Sequence, residues 1–561
     1  MGAATLGLVV VVGVLGIHAD AAHAHAATDQ HPLLENIGLP SSHSHAADSA
    51  LLLPASHLNT HSLARSHVLS CRVPPASRDQ DAGALTYILD NLDVDVWAFH
   101  HSESPSIDIA VSDDPELHKI IAEFFECDTL VPSIARLVQE EAREMEAVAA
   151  VTHAKLVPLR LLTPSAPTGA REHAAAELTG AESKHNHGGR KTAREAASSD
   201  PDAASSSYEA SFAASHPFLS LLSTVTSPTS SFFDTYHPYD LNVAFLRALS
   251  LSRPDLVSAV EVVGQTVEKR ELVAVRVTGP TQEGGGGGGK DVVVLTAGIH
   301  AREWISSSSL LYIAARLVDE YTTDPSTARI LDAVEFVLIP SINPDGYEYS
   351  RNSDRMWRKN RRRNDAFSHG VDLNRNFDDH WGDPGASPNP FSETYRGPSA
   401  ASEPETKAVQ DYLLGIARGS KGRAPRKIIA GVDLHSYGQD ILRSWGWTHR
   451  DSTNEAVLAA LGDRAAKAAT DVPRITEKEG KGAKYASFKA SGLYVTSGST
   501  DDWYTSHLNA TGWTVELRDK GNKGFVLPPS LIVPTGIDAY AICKALVEGI
   551  LEIPGGIPPN H

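Results

Sequence analysis

Short apolar runs alternate with stretches of helical spacing through the second half of the chain. Asp291-Val-Val-Val-Leu-Thr-Ala297 is a continuous apolar, β-branched run, the pattern of a buried strand. Leu310, Leu311, Ile313, Ala314, Leu317 and Val318 then recur at helical spacing. Lys427-Ile-Ile-Ala-Gly-Val-Asp-Leu434 is a second buried-strand pattern, and Gly512-Trp-Thr-Val-Glu-Leu517 a third. Buried strands alternating with helices predict an open α/β sheet. Upstream, Tyr87 to Phe99 contains alternating apolar residues, and helical patterns follow at 114–126 and 132–150. Residues 72–158 therefore read as a small α+β unit.

The segments around these units are of another kind. Residues 160–207 hold no aromatic residue and are rich in Ala, Ser, Thr and Pro. They cannot bury enough apolar surface to order themselves, so 159–230 is expected to be a flexible, protease-sensitive linker. Arg190-Lys191 is a basic pair there that a processing protease could use. Gly284 to Gly289 is a run of six glycines between two strand patterns. No Lys-Ser/Thr and helix follow it, so a hairpin loop fits better than a phosphate cradle. Leu6 to Ile17 is apolar but too short to span a bilayer. With Ala22-His23-Ala24 as a cleavage site, residues 1–24 read as a secretory signal, although a positive n-region is missing. No other segment is long enough for a transmembrane helix. Residues 25–71 carry His25, His31, His43, His45, His57, His61 and His67. A disordered polar tail accounts for them better than a chelating tract.

Composition narrows the picture further. The 561 residues allow more than one domain, and 41% apolar residues suffice for a packed core. A net charge of −19 argues against general nucleic-acid binding. Three cysteines, Cys71, Cys127 and Cys543, permit at most one disulfide.

The chemistry gathers at strand ends. His300-Ala301-Arg302-Glu303 lies where the first strand pattern runs into its helix. A histidine and a glutamate three apart at such a junction can converge on one point, and both are good zinc ligands. His435 ends the second strand pattern and is a candidate third ligand, because ligands bind at the carboxyl edge of open α/β sheets. A surface His-x-x-Glu pair and a structural histidine remain the bland alternatives at this point.

Further motifs decide between them. Arg355-Met-Trp-Arg358-Lys-Asn-Arg precedes Asp372-Leu-Asn374-Arg375-Asn376-Phe, and Tyr494 and Glu516-Leu-Arg-Asp-Lys-Gly follow in order. Over roughly residues 231–555 this series resembles the zinc metallocarboxypeptidases of the carboxypeptidase A/B family. The resemblance implies a mixed, mostly parallel twisted sheet flanked by helices, the catalytic domain taking residues 231–556. It implies one zinc ion per chain on His300, Glu303 and His435, with Asp372 orienting the first histidine. Glu516 would be the general base and Arg358 the donor to the oxyanion. Arg375 would clamp the terminal carboxylate beside Asn374, a task suited to the guanidinium fork. Arg302, Arg355, Ser436 and Tyr437 would bind along the peptide, and Tyr494 would close over it. Six of the nine residues from Arg355 to Arg363 are basic. The spacing and Trp357 fit this clamp better than a nucleic-acid patch.

By the same resemblance residues 72–158 correspond to an activation propeptide. The chain is then a secreted or vacuolar zymogen, a monomer, that removes single residues from peptide or protein C-termini after an activating protease cuts the linker. The gap-free stretch from Tyr494 to Glu516 puts Asp501 at the floor of the pocket for the departing side chain. Aspartate there goes with cleavage of Lys or Arg. Gly446 in the same pocket belongs to the hydrophobic type, and Lys489 or Arg443 would neutralise Asp501 if either paired with it. The disulfide that animal digestive relatives carry beside the Asn-Arg motif is absent. Ser444-Trp445 replaces the family's cis Pro-Tyr, which weighs against a cis bond because a non-proline cis bond costs ~3 kcal/mol. The alternative function is a catalytically inactive, fungal-type relative that binds peptides or the cell wall. Such proteins lose the base, whereas Glu516 is kept.

Overall fold

The computed structural model describes residues 66–72, 94–100, 106–152, 224–280, 289–420, 423–472 and 483–558. The expected signal, most of the His-rich segment, nearly all of the linker and most of the glycine run lie outside them.

The N-terminal unit is a four-stranded antiparallel sheet with two helices. Its elements are β1 (His67–Arg72), β2 (Asp95–His100), β3 (Ser106–Val111), α1 (Pro115–Phe124), β4 (Glu126–Val131) and α2 (Ile134–Thr152), with strand order β2-β3-β1-β4. Asp114 caps α1 by accepting from the Glu116 amide, and Pro115 sits in the first turn, where its missing N–H costs nothing. β1 corrects the expected boundary at residue 72. His67 belongs to the sheet and not to the tail, and its strand is too short and mixed to stand out from a polar tract. The pairing register sets Cys71 opposite Cys127, and the two form a disulfide across 56 residues. A loop of that length stabilises by ~4 kcal/mol in the chain-entropy account. Cys543 is buried and free.

The larger unit is an eight-stranded mixed sheet. Its strands are β5 (Glu261–Gln265), β6 (Glu271–Val277), β7 (Asp291–Ala297), β8 (Val334–Ile339), β9 (Ile428–Ser436), β10 (Asp440–Arg443), β11 (Ala486–Lys489) and β12 (Thr511–Leu517). The order is β11-β10-β12-β9-β7-β8-β6-β5, and the four central strands β12, β9, β7 and β8 run parallel. All nine residues of β9 are buried, as expected of a strand covered on both faces. One face is covered by α3 (Tyr239–Ser252), α4 (Trp304–Glu320), α8 (Glu455–Asp471) and α10 (Ile532–Leu551). The other carries α7 (Pro404–Arg418) and α9 (Thr500–Leu508), with Val409, Leu413, Trp503 and Tyr504 in its core. Two shorter helices, α5 (Pro325–Ala333) and α6 (Pro344–Asn352), flank β8.

The last helix amends the expectation about membrane spans. Residues 529–551 are long and apolar enough to cross a bilayer, but the most apolar 18 of them are 67% buried within the protein. Its apolar circumference is spent on α4, α8 and the sheet, as in a core helix of a large domain. The Ser444–Trp445 bond is cis, contrary to the sequence expectation, as are Ser436–Tyr437 and Arg518–Asp519.

Candidate active site and metal centre

β7 ends at Ala297, and the chain turns into α4 through Gly298 at φ +62°. Any side chain there would be strained and would meet the Ser307 hydroxyl at 2.5 Å. That turn places His300 and Glu303 above the sheet, Glu303 at the N-cap of α4. A helix N-terminus favours a carboxylate. His435 comes from the end of β9, the strand beside β7. All three side chains are buried, at 4%, 3% and 2% exposure.

Their ligand atoms converge. Nδ1 of His300 lies 2.8 Å from Oε1 of Glu303 and 3.1 Å from Nδ1 of His435, which is 3.2 Å from Oε2 of Glu303. Ligands held ~2.0–2.2 Å from a tetrahedral zinc ion sit ~3.3 Å apart, so the donor set fits that ion. Each imidazole turns its Nε2 to a carboxylate, His300 to Asp372 at 3.2 Å and His435 to Asp433 at 3.0 Å. Such partners fix the tautomer and leave Nδ1 free to ligate. Among the described residues this is the one cluster of three or more His, Cys, Asp or Glu able to hold a metal.

The electrostatics agree. Burial disfavours the charged form of His435, yet Asp433 and Glu303 outweigh it and raise the imidazole well above its usual range. Burial likewise opposes ionisation of Glu303 and Asp372. His300 and His435 hold the Glu303 carboxyl low, and Arg358 and His300 hold Asp372 low. Carboxylates thus surround the two imidazoles and favour positive charge at this point.

Glu516 lies on β12 directly across from His435 in the parallel pairing of β12 with β9. Burial, joined by Glu303 and Asp440, pushes its carboxyl up to about 8 against the opposing charges of His435 and Arg358. A cation at the cradle acts in the opposite sense.

A cavity of about 340 Å³ joins these groups. Its wall contains His300, Glu303, His435, Glu516, Arg358, Asn374, Arg375, Ser436, Tyr437, Tyr494 and Asp501. Arg358 donates to Asp372 at 2.9 Å. Arg375 donates to the Asn374 and Gly385 carbonyls and, at 3.1 Å, to the Tyr494 hydroxyl. Asn374 accepts from the Thr500 amide at 2.9 Å. The Ser436 amide donates to Glu303 at 3.2 Å. Asp501 is 2% exposed, and burial pushes its carboxyl up. Gly512 lets α9 approach β12, since a Cβ there would lie 1.9 Å from the Asp501 carbonyl oxygen.

Arg302 and Arg355 stay out of that wall, as does Gly446, which was expected in the pocket. Arg302 donates twice to Asp95 on β2 of the N-terminal unit, and Arg355 twice to Glu141 on α2, at 2.6 and 2.9 Å. Tyr437 donates to Asp108 on β3 at 3.2 Å. Trp97 packs edge-on against Tyr437 at 6.3 Å between ring centres and 5.1 Å from Phe525, over which Arg302 lies at 4.1 Å. Val94, Val96 and Trp97 complete the cavity wall from the N-terminal unit.

Several of these groups escaped the sequence reading. Asp433 stands two residues before His435 in the same strand, so both point to one face, and period-two spacing would have found it. Asp95, Asp108 and Glu141 had no local signal. Lys489 and Arg443 are committed elsewhere, to Asp451 and Glu455. Among the described residues no cation pairs with Asp501.

Comparison with known proteins agrees with the geometry. Residues 242–542 match the model of the family described as zinc carboxypeptidase. The chain belongs to that family. Carboxypeptidase A1 of Rattus norvegicus is 35% identical over 329 residues, 58% of this chain and 73% of that protein. The inactive metallocarboxypeptidase ecm14 of Talaromyces marneffei is 34% identical over 323 residues, 55% of this chain, which spans about half of that relative (53%). The crystal structure of carboxypeptidase A from Helicoverpa armigera superposes with a TM-score of 0.62 at 22% identity, covering 86% of this chain and 98% of that one. That last likeness concerns the fold. The His300-Glu303-His435 centre is the zinc site of a metallocarboxypeptidase. The disulfide fits an oxidising compartment of the secretory pathway.

Proposed function

We propose that the protein is a latent carboxypeptidase which, once cleaved, releases basic residues from peptide C-termini. The supporting observation is a single cavity that holds the zinc ligands, a buried carboxylate and two guanidinium groups, partly walled by the N-terminal unit. Zinc, when bound, supplies a Lewis acid that polarises a carbonyl and makes water more acidic. Glu516 takes the proton from the attacking water and passes it to the departing amine. Arg358 donates to the oxygen on which charge develops, and Arg375 holds the terminal carboxylate with its fork. Asn374 and Ser436 line the path, and Tyr494 closes over the substrate end while its hydroxyl keeps the bond to Arg375.

Latency has its own support. Arg302 and Arg355 are the residues proposed to bind along the peptide, and carboxylates of the N-terminal unit occupy them. Asp108 and Trp97 cover Tyr437 in the same way. Cleavage between residues 153 and 223 would release the unit that carries these groups. A secreted or vacuolar destination fits the disulfide within it.

The basic preference rests on Asp501. It is buried, lines the cavity and has no described cationic partner, so a substrate lysine or arginine would complete it. Its neighbour Asp502 is occupied in accepting from the Gly446 and Trp447 amides at 2.8–3.0 Å. The test is kcat/KM for matched peptides ending in Arg and in Phe, with cleaved wild type and Asp501→Ala. Wild type should favour Arg, and the variant should lose most of that preference. A wild type that favours Phe, or an unchanged ratio in the variant, removes Asp501 from specificity. The inactive alternative draws on the ecm14 relative, and retention of Glu516 speaks against it.

A further inference from the structure

We propose that Asn509 carries an N-linked oligosaccharide. Asn509-Ala510-Thr511 is the only Asn-x-Ser/Thr sequence in the 561 residues in which x is not proline. The structure presents this one acceptor on the surface. Asn509 is exposed and forms the C-cap of α9 in the left-handed conformation, φ 54° and ψ 34°. Asparagine tolerates that region better than most residues. No described residue hydrogen-bonds its side-chain amide, so the nitrogen is free for substitution. Thr511 already belongs to β12, where its hydroxyl donates to the Ile429 carbonyl at 3.3 Å and accepts from Trp513 Nε1 at 3.0 Å. The motif must therefore be modified before the strand closes, as in transfer to a chain entering the secretory pathway.

The surroundings suit a sugar. Asn509 borders a groove of about 210 Å³ whose walls include Lys427, Leu551, Ile553 and Ile557. Leu551 is 40% exposed, one of few large apolar side chains left in water among the described residues. The first sugars would cover that apolar rim and find polar partners in Lys427 and Asp291. The groove lies at the start of β12 and the catalytic glutamate near its end. From Thr511, two residues after Asn509, five steps of strand, ~17 Å, lead to Glu516 in the cavity wall.

The transfer is written with its co-substrate, an oligosaccharide on a polyprenyl diphosphate. The Asn509 amide nitrogen bonds to the anomeric carbon, the anomeric C–O bond to the diphosphate breaks, and the amide gives up one proton as the diphosphate leaves. This inference rests on the secretory routing proposed above. The full chain is expressed in a eukaryotic secretory host and its intact mass measured before and after treatment with a peptide N-glycosidase. Wild type and Thr511→Ser, which keeps the hydroxyl and the motif, should each lose a carbohydrate increment. Asn509→Asp, which keeps the left-handed cap, should lack the increment entirely, and all three should have the same kcat/KM after activation. Secreted protein with the Cys71–Cys127 bridge formed and wild-type mass equal to that of the polypeptide overturns the glycan while leaving the routing intact. Protein retained in the cytosol with free Cys71 and Cys127 thiols overturns both.

Discussion

Burial keeps the Glu516 carboxyl protonated up to about 8 when no cation is beside it, and zinc on the adjacent ligands would shift it toward the ionised base. Glutamine has the same shape and cannot accept the proton. Glu516→Gln should lower kcat by ~10²–10⁴-fold and leave KM within a few-fold. A kcat near wild type would remove Glu516 from the base role. A second buried carboxyl makes a stability prediction. Glu405 is fully buried, and desolvation, aided by Glu403, pushes it up to about 7. A raised folded-state value means the neutral form is preferred in the fold. Its contribution is present below the unfolded value near 4.5 and is lost as pH rises through about 7. Chemical denaturation should show stability declining from about pH 5 to about pH 8, and Glu405→Gln should flatten that decline. An identical slope in the variant would contradict the assignment. At this scale two strand ends offered the zinc ligands as candidates, and the resemblance to the carboxypeptidase A/B family decided them. Asp95, Asp108 and Glu141 were not, since their meaning comes from a docking that no local pattern encodes.

Among the elements, β2 and α2 do most to cover the site. Removing one partner of a buried ion pair costs ~3–5 kcal/mol, because the other charge stays buried and unpaired. In Asp95→Ala or Glu141→Ala that penalty falls on the docked form alone, since Arg302 or Arg355 is rehydrated on undocking. Each variant should raise the activity of the uncleaved chain on a short peptide by tenfold or more, and the double variant by more than either. Activity no higher than that of the uncleaved wild type would mean these pairs do not hold the unit in place. The strands β7 and β9 were readable as apolar runs because parallel strands are buried on both faces. β1 was not, since half-buried antiparallel strands give a weaker pattern. The length of α10 was misjudged, since by length and hydropathy it could cross a bilayer, but it is a core helix.

For the molecule as a whole, the strands deliver their chemistry to one edge of the sheet, and the N-terminal unit closes over that edge. The order of motifs along the chain made this family legible, whereas the pairing of Arg302 with Asp95 and of Arg355 with Glu141 came only with the fold. Latency and catalysis are thus tested together by one time course. A peptide is incubated with intact chain and with chain cut in the linker, and products are read by mass spectrometry. The cut chain should shorten the peptide one residue at a time from its C-terminus. It should stop when zinc is chelated and resume when zinc is restored, while the intact chain stays nearly inactive. Equal rates before and after cleavage would contradict latency, and no C-terminal shortening by a cut, zinc-loaded chain would contradict the function itself.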